Sequence, residues 1–578
     1  MASIQPQTAV HSRPMGIGAI LLEHGLISAD DLDRALAEQK STGERLDKTL
    51  IRMGLVEPSQ VTRAISEQFD LPMVDLAEMA IEDDVLACIP RQIVFRQQCV
   101  PIERLPAIKG VTGSVPALRI ATCDPFDHSV FDELRLLTGC HIELALAEEE
   151  DLRQFIRARY GVGGDTLEEL SRDISDSDPE RSESESDEAA AHEASVIRLV
   201  NELLAEAIAS RATDVHIEPY EHRLIVRYRI DGVLQRANVS SAINRFTSAI
   251  VSRIKIMSSM NIAEKRKPQD GRITLKRSGQ SFDLRVSIIP MLFGEGVVLR
   301  ILNKSAVLLG LDELGMPGAI LERWDTAISK PHGILLVTGP TGSGKSTTLY
   351  ASLNRIISDE IKAITVEDPV EYHVQGVNQI QVNHKVGMDF SAGLRAILRH
   401  DPDVIMIGEI RDRETAEAAV QASLTGHLVF STLHTNDAAG AMPRMLDMGV
   451  EPYLVSSSIE GVLAQRLVRC ICEHCREEYS PSPADLPEDF EHSPGQMLAR
   501  GGGCRQCFNT GYRGRKGVYE LLRMTEPIRD MVMRRANASE IAREALASGD
   551  LNLLRHDGYD KARAGMTTID EVMRIARA

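Results

Sequence analysis

Aromatic side chains are scarce in this chain, at 4 % of its 578 residues. Proteins that grip single-stranded nucleic acid need such rings as stacking platforms, so that class is disfavoured. Positive charge is short as well. The 65 Lys and Arg stand against 84 Asp and Glu, and the resulting net charge of −19 opposes loose attachment to DNA or anionic lipid. No run approaches the roughly 18 apolar residues of a membrane span. Residues 1–14 hold no apolar stretch of the kind a secretory leader needs. Nine cysteines are too few for a disulfide scaffold, and the number is odd. Hydrophobic residues at 43 % and charged residues at 26 % are ordinary for globular protein. A cytosolic enzyme of about four domains is expected, taking about 150 residues for each.

The front of the chain repeats itself. Ile17-Gly18-Ala19-Ile20-Leu21-Leu22, Gly25-Leu26-Ile27 and Gln39 recur as Leu46-Asp47-Lys48-Thr49-Leu50-Ile51, Gly54-Leu55-Val56 and Gln68, at a constant offset of 29. Each copy reads as a short helix, a Gly cap, a turn, then an amphipathic helix. Two copies are fewer than a solenoid needs, so one compact helical module is expected, continuing into mixed α/β structure. This N-terminal domain is bounded at 14–160. Residues 161–193 read as an acidic, disordered linker: between 165 and 193 stand twelve Asp or Glu and two Arg, a balance of 2 − 12 = −10. Helical spacing follows over Ser195 to Ser210. Strand alternation follows in Leu224, Val226, Tyr228 and Ile230, and again in Phe282, Leu284 and Val286. These mark an α+β domain over 194–305.

From Gly333 short apolar runs alternate with helical text: Ile334 to Val337, Ala363 to Val366, Val404 to Ile407 and Leu428 to Ser431. That rhythm belongs to a parallel sheet covered on both faces, an α/β core placed at 306–469. Directly after its first strand comes Gly339-Pro340-Thr341-Gly342-Ser343-Gly344-Lys345-Ser346-Thr347, the full phosphate-loop pattern, opening a helix. Its glycines let backbone N–H groups turn toward phosphate oxygens at a helix N-terminus. Lys345 is placed to reach the β- and γ-phosphates of ATP, and the Ser346 hydroxyl to ligate Mg²⁺.

Acids at other strand ends are the expected catalytic complement. Glu367 closes Thr365-Val366-Glu367-Asp368-Pro369, and Glu409 follows Val404 to Gly408. A solvated loop carboxylate is the default for either acid alone, and their joint placement favours function. His427 and His434 bracket the next strand, and His434, at its C-terminal end, is the candidate sensor of the γ-phosphate. Cys472, Cys475, Cys504 and Cys507 form two C-x₂-C pairs, with residues 476–503 between them. Four thiolates suit a structural, tetrahedral Zn²⁺ with no open position. Cys470 is a spare thiol. This tetracysteine insertion is placed at 470–516, with a helical C-terminal part at 517–578.

Taken in order, the phosphate loop, the Thr365–Tyr372 and Thr425–Asn436 segments and the Glu409 strand resemble the secretion ATPase superfamily, the motors of bacterial type II secretion and type IV pilus assembly. Glu264-Lys-Arg-Lys-Pro-Gln-Asp-Gly-Arg272 is a further family marker. The resemblance covers the chain from Val196 onward. It implies a RecA-like core, a homohexameric ring, and a preceding domain that sits over the neighbour's nucleotide. Arg285 and Arg300 match arginines the family aims at phosphates, a task suited to a planar, permanently charged group; Arg395 and Arg399 are further candidates. The function implied is a cytoplasmic ATP hydrolase, peripheral at the inner membrane, powering type II secretion. A pilus assembly motor shares every motif, while a nucleotide-gated scaffold and a DNA translocase fit less of the pattern. Some pilus motors bind cyclic diguanylate through a similar front repeat. Here Gly16-Ile17-Gly18 lacks the arginine and Asp47 replaces the last glycine, which favours docking to inner-membrane assembly proteins instead.

Overall fold

The structure, a computed structural model, describes residues 17–576 apart from 78, 111–112, 163–165, 168–184, 278, 304–308 and 494. Residues 1–14, read as lacking a leader stretch, most of the acidic linker and the 305/306 boundary therefore lie outside the described residues. Two compact units are present. The first comprises Met1–Ile230, Leu234–Ile273 and Arg285–Arg300; the second comprises Asp231–Val233, Thr274–Leu284 and Ile301–Ala578.

In the first unit the repeat folds as four helices, α1 (Ile17–Glu23), α2 (Ala29–Thr42), α3 (Leu46–Arg52) and α4 (Pro58–Phe69). Gly25 and Gly54, 29 positions apart, both stop a helix in the left-handed region, at φ 67° and 68°. Ser28 caps α2 through the Asp31 amide, whereas Pro58 occupies the first position of α4. The helices close over Leu21, Ala35, Leu50, Val61 and Ile65. A three-stranded sheet follows: β1 (Cys99–Gly110), β2 (Gly113–Thr122) and β3 (His141–Leu146). Helix Glu185–Ala209 begins ten residues before the expected Ser195 start, so the helical text extends back into the acidic stretch. Ala-rich composition over Ala189–Ala191 tolerates a helix where no apolar period announces one.

Six more strands form one sheet in the order β6-β5-β4-β9-β8-β7: β4 (Ala212–Tyr220), β5 (Arg223–Ile230), β6 (Val233–Arg236), β7 (Gln269–Arg277), β8 (Gln280–Met291) and β9 (Gly294–Asn303). The alternation read at Leu224 to Ile230 is real, those residues being buried while their neighbours are partly open.

The second unit is built on a seven-stranded sheet ordered β12-β11-β13-β14-β10-β15-β18. Its strands are β10 (Gly333–Thr338), β11 (Ala363–Glu367), β12 (Val377–Gln381), β13 (Val404–Ile407), β14 (Leu428–Leu433), β15 (Ile459–Ile471) and β18 (Tyr512–Arg523). β10 pairs parallel with β14 and β15, while β18 runs antiparallel to β15. Period two explains the continuous apolar runs. Ile334 and Leu336 face one buried core, Leu335 and Val337 the other. This is the expected α/β phosphate-loop core. Its extent differs from the expectation at the C-terminal side. The sheet runs past residue 469 to Ile471 and resumes at Tyr512, so the 517–578 segment opens with a strand before its helices. Between them a two-stranded ribbon, β16 (Arg476–Tyr479) with β17 (Leu498–Gly501), carries the cysteine segment. Among the described residues, no helix is long and apolar enough to cross a membrane.

Candidate functional site

Parallel strands deliver their C-terminal ends to one edge of a sheet, where ligand sites gather. At that edge β10 turns into the loop 339–344, and helix Lys345–Ile356 starts from Gly344. Gly344 has φ 91°, and a Cβ there would lie 2.6 Å from Gln465 Nε2, so no larger residue fits. Ser346 is exposed on the first helical turn, and Thr348 is buried, donating to Gln465 Oε1 at 2.6 Å. Lys345 Nζ donates to the carbonyls of Gly339 (2.8 Å) and Pro340 (3.0 Å). Burial pushes its ammonium down to about 8, against the pull of Glu409 and with a push from Arg466. The loop thus holds a partly desolvated cation on its own carbonyls.

Glu409 follows β13, and β14, the strand between β13 and β10, ends one residue before His434. The two meet: His434 Nε2 lies 3.2 Å from Glu409 Oε2, and Arg411 Nη2 lies 2.7 Å from Oε1. The Glu409 side chain is 14 % exposed, so it is sheltered yet reachable. His427, at the other end of β14, bonds through Nδ1 to the Ala422 carbonyl at 2.9 Å and stays out of the site.

Glu367 is placed differently from Glu409. It is 4 % exposed, and its oxygens are occupied by Thr365 Oγ1 (2.6 Å), Gln379 Nε2 (3.1 Å) and the Tyr350 hydroxyl. Tyr350 also accepts the Glu371 amide, so the carboxylate ties the phosphate-loop helix to the strand end. Arg395 pairs with Glu414 at 2.6 Å and Arg399 reaches the Arg395 carbonyl, both on the surface. Arg285 and Arg300 belong to the first unit. Arg285 sits half-buried in β8, and Arg300, on β9, donates to Asp214 Oδ1 at 3.2 Å across the β4–β9 pairing.

Several residues of the site were not singled out from the sequence. Gln465 and Arg466 on β15 and Glu520 on β18 are buried polar groups inside apolar strand text. Glu520 accepts the Ala438 and Leu554 amides, and burial pushes its carboxyl up. A polar pair interrupting Val462-Leu463-Ala464 and Leu467-Val468 was the available signal.

The four cysteines come together as the spacing requires. Cys472, Cys475, Cys504 and Cys507 place their sulfurs within 4.8 Å of one another, and Cys470 is outside the group. The resolved separations are 3.7 Å (Cys472–Cys504), 3.8 Å (Cys475–Cys507) and 3.7 Å (Cys504–Cys507). A tetrahedral ion at about 2.3 Å from each thiolate spaces its ligands about 3.8 Å apart, so the residues fit zinc. The distances are far beyond a disulfide bond. The amides of Cys504 and Gly511 point at the Cys507 sulfur, at 3.1 and 3.2 Å, which favours a thiolate there.

In the front module Arg45 is fully engaged. Its guanidinium bonds Asp47 and, at 2.7 and 2.9 Å, both oxygens of Asp124, and it stacks 4.2 Å from the Phe126 ring. Asp47, the residue that replaces glycine in the second copy, therefore answers an arginine of its own chain.

Comparison with known proteins agrees with this architecture. The family model described as "Type II/IV secretion system protein" matches residues 189–574, and that of the "MshEN domain" matches 69–166. The chain is 41 % identical to the type IV pilus assembly ATPase PilB of Myxococcus xanthus over 569 residues, covering 96 % of this chain and 98 % of the relative. It is 48 % identical to type II secretion system protein E of Aeromonas hydrophila over 455 residues, covering 77 % and 89 %. Against the Xanthomonas campestris protein of the same name the identity is 41 % over 575 residues, covering 96 % and 97 %.

Proposed function

The chain belongs to the family of type II/IV secretion system proteins, and on that premise we propose that it is an ATP hydrolase powering type II secretion. The observation that carries the hydrolytic reading is the Glu409–His434 contact, at the ends of β13 and β14, of which β14 adjoins the strand that ends in the phosphate loop.

The roles follow from placement. Amides of Gly342 to Ser346, at the positive end of helix Lys345–Ile356, receive the triphosphate. Lys345 exchanges the Gly339 and Pro340 carbonyls for phosphate oxygens, recovering in charge pairing what burial took from it. The exposed Ser346 hydroxyl and the sheltered Glu409 carboxylate are the groups that would hold a magnesium ion brought by the nucleotide, which supplies charge neutralisation at the phosphates. Glu409 orients the attacking water, and His434 holds the free side of that carboxylate. Glu367 acts from behind, fixing Tyr350 and the strand end. Arg285 and Arg300 serve the phosphates of a neighbouring subunit in a homohexamer. The four cysteines hold a structural zinc, and the N-terminal domain docks an inner-membrane assembly protein.

The test is phosphate release by the assembled full chain with Glu409→Gln as control; equal rates would sink the hydrolytic reading. Pilus assembly is the second reading, favoured by the 41 % identity to PilB across 96 % of the chain. Co-purification with secretion rather than pilus components separates the two.

A further inference from the structure

From Gly461 to Val468, β15 is apolar except at two adjacent positions, Gln465 and Arg466, which are 2 % and 5 % exposed. Neighbours on a pleated strand point to opposite faces, and these two find different partners. Gln465 accepts from Thr348 and lies under Gly344. Arg466 Nη2 donates to the Asn436 carbonyl at 2.9 Å and to Asn436 Oδ1 at 3.3 Å. Its Nη1 reaches the Gln465 carbonyl at 3.2 Å, and a Cβ on Gly339 would stand 3.2 Å from that nitrogen. Its Nε is buried and unpartnered. A guanidinium held in the interior on the Asn436 and Gln465 oxygens is costly: burial pushes its pKa down, although the Glu520 and Asp437 carboxylates pull the other way.

The placement of Asn436 gives that cost a purpose. Asn436 lies two residues beyond His434, whose ring meets Glu409. We infer that Arg466 is a positioning residue for ATP hydrolysis: packed against Gly339, it clamps Asn436 through both its carbonyl and its side-chain oxygen and so sets where His434 meets Glu409. The inference rests on the reading of the 339–347 loop as the hydrolytic site. Arg466 acts through backbone and through His434, not on the phosphates.

The test is a pair of variants in the assembled full chain. Arg466→Lys keeps the charge and loses the planar fork, and Arg466→Met loses both. Both are expected to lower kcat by about 10²-fold, since a displaced arm costs geometry. For Arg466→Lys, which keeps the charge that pushes on Lys345, KM and the affinity for a fluorescent ATP analogue stay within about twofold. Combined with His434→Ala, Arg466→Lys slows the enzyme no further, the two acting through one arm. A raised KM with kcat intact, restoration by lysine, or multiplicative effects in the double variant would each overturn the inference. If circular dichroism shows the Arg466 variants unfolded, Asn436→Ala removes one acceptor of the same guanidinium. It should lower kcat alone, and an unchanged rate overturns the inference. Glu409→Gln as fast as the parent chain would instead defeat the hydrolytic reading, and this inference with it.

Discussion

His434 Nε2 and Glu409 Oε2 stand 3.2 Å apart at the ends of two adjacent parallel strands, with Arg411 on the other carboxylate oxygen. The carboxylate is thereby held at both oxygens while its side chain keeps 14 % exposure. Glu409→Gln keeps the shape and removes the charge. Turnover should fall by about 10²- to 10⁴-fold, the range for a lost acid–base group, with analogue binding preserved. His434→Ala should fall less, since Arg411 still orients the acid. Phosphate release and equilibrium binding measured together check both.

Lys345 makes nucleotide binding pH-dependent in a defined direction. Its free-state pKa is depressed to about 8 from 10.5, so the empty site loses this proton as pH rises through about 8. A phosphate partner favours the cation, so binding above pH 8 takes up close to one proton, and affinity drops toward tenfold per pH unit. Titration calorimetry at pH 9 in two buffers of unlike ionisation enthalpy reads the uptake directly. Identical heats in both buffers would contradict it.

Tyr350→Phe strips the hydroxyl shared by Glu367 and the Glu371 amide. A buried carboxylate oxygen is left without its donor, which costs about 1–3 kcal/mol. The expected result is a lower unfolding midpoint with kcat reduced and KM for ATP near normal. An unchanged midpoint would show that Gln379 and Thr365 suffice for Glu367.

Zinc should be present at one ion per chain and depend on the four clustered thiols alone. Cys475→Ser or Cys504→Ser should lose the metal and destabilise the ribbon of β16 and β17, whereas Cys470→Ser should retain it. Metal content by plasma spectrometry and limited proteolysis within 476–503 decide this.

Arg45→Ala should destabilise the front module, because Asp47 is nearly buried and loses its counter-charge. With the screening expected at a half-open arginine, the loss is about 1 kcal/mol. Arg52, paired with Glu38 and Glu44 on the open surface, is the control, and Arg52→Ala should leave the midpoint unchanged. Equal melting of the two variants would refute the distinction.

Local chemistry was legible in the sequence where it is set by neighbours along the chain. The phosphate loop needs a strand before it and a helix after it, and both are printed within twenty residues of Gly339. The glycine stops at 25 and 54 and the two C-x₂-C pairs are equally local. What was not legible depends on long-range pairing. Nothing near Tyr512 announces that it joins Ile471, forty-one residues earlier (512 − 471), so on the sequence alone β18 divides between the cysteine insertion and the helical tail. Arg466 was overlooked for the same reason. A lone arginine in strand text reads as a solvent-facing residue until the Asn436 loop is folded over it. Glu367 and Glu409 looked alike as strand-end acids, and only the Tyr350 and Gln379 side chains distinguish the enclosed one from the open one.

Gln465 and Arg466 are joined by a single peptide bond yet answer to opposite sides of the sheet. No shorter covalent route between those sides exists in a pleated strand. A shift of the phosphate-loop helix when the triphosphate is cleaved would thus be relayed, within one residue, to the segment bearing His434. Timing between grip and cleavage is then a matter of how stiffly one strand is clamped by β10 and β18, and it can be tuned far from any nucleotide.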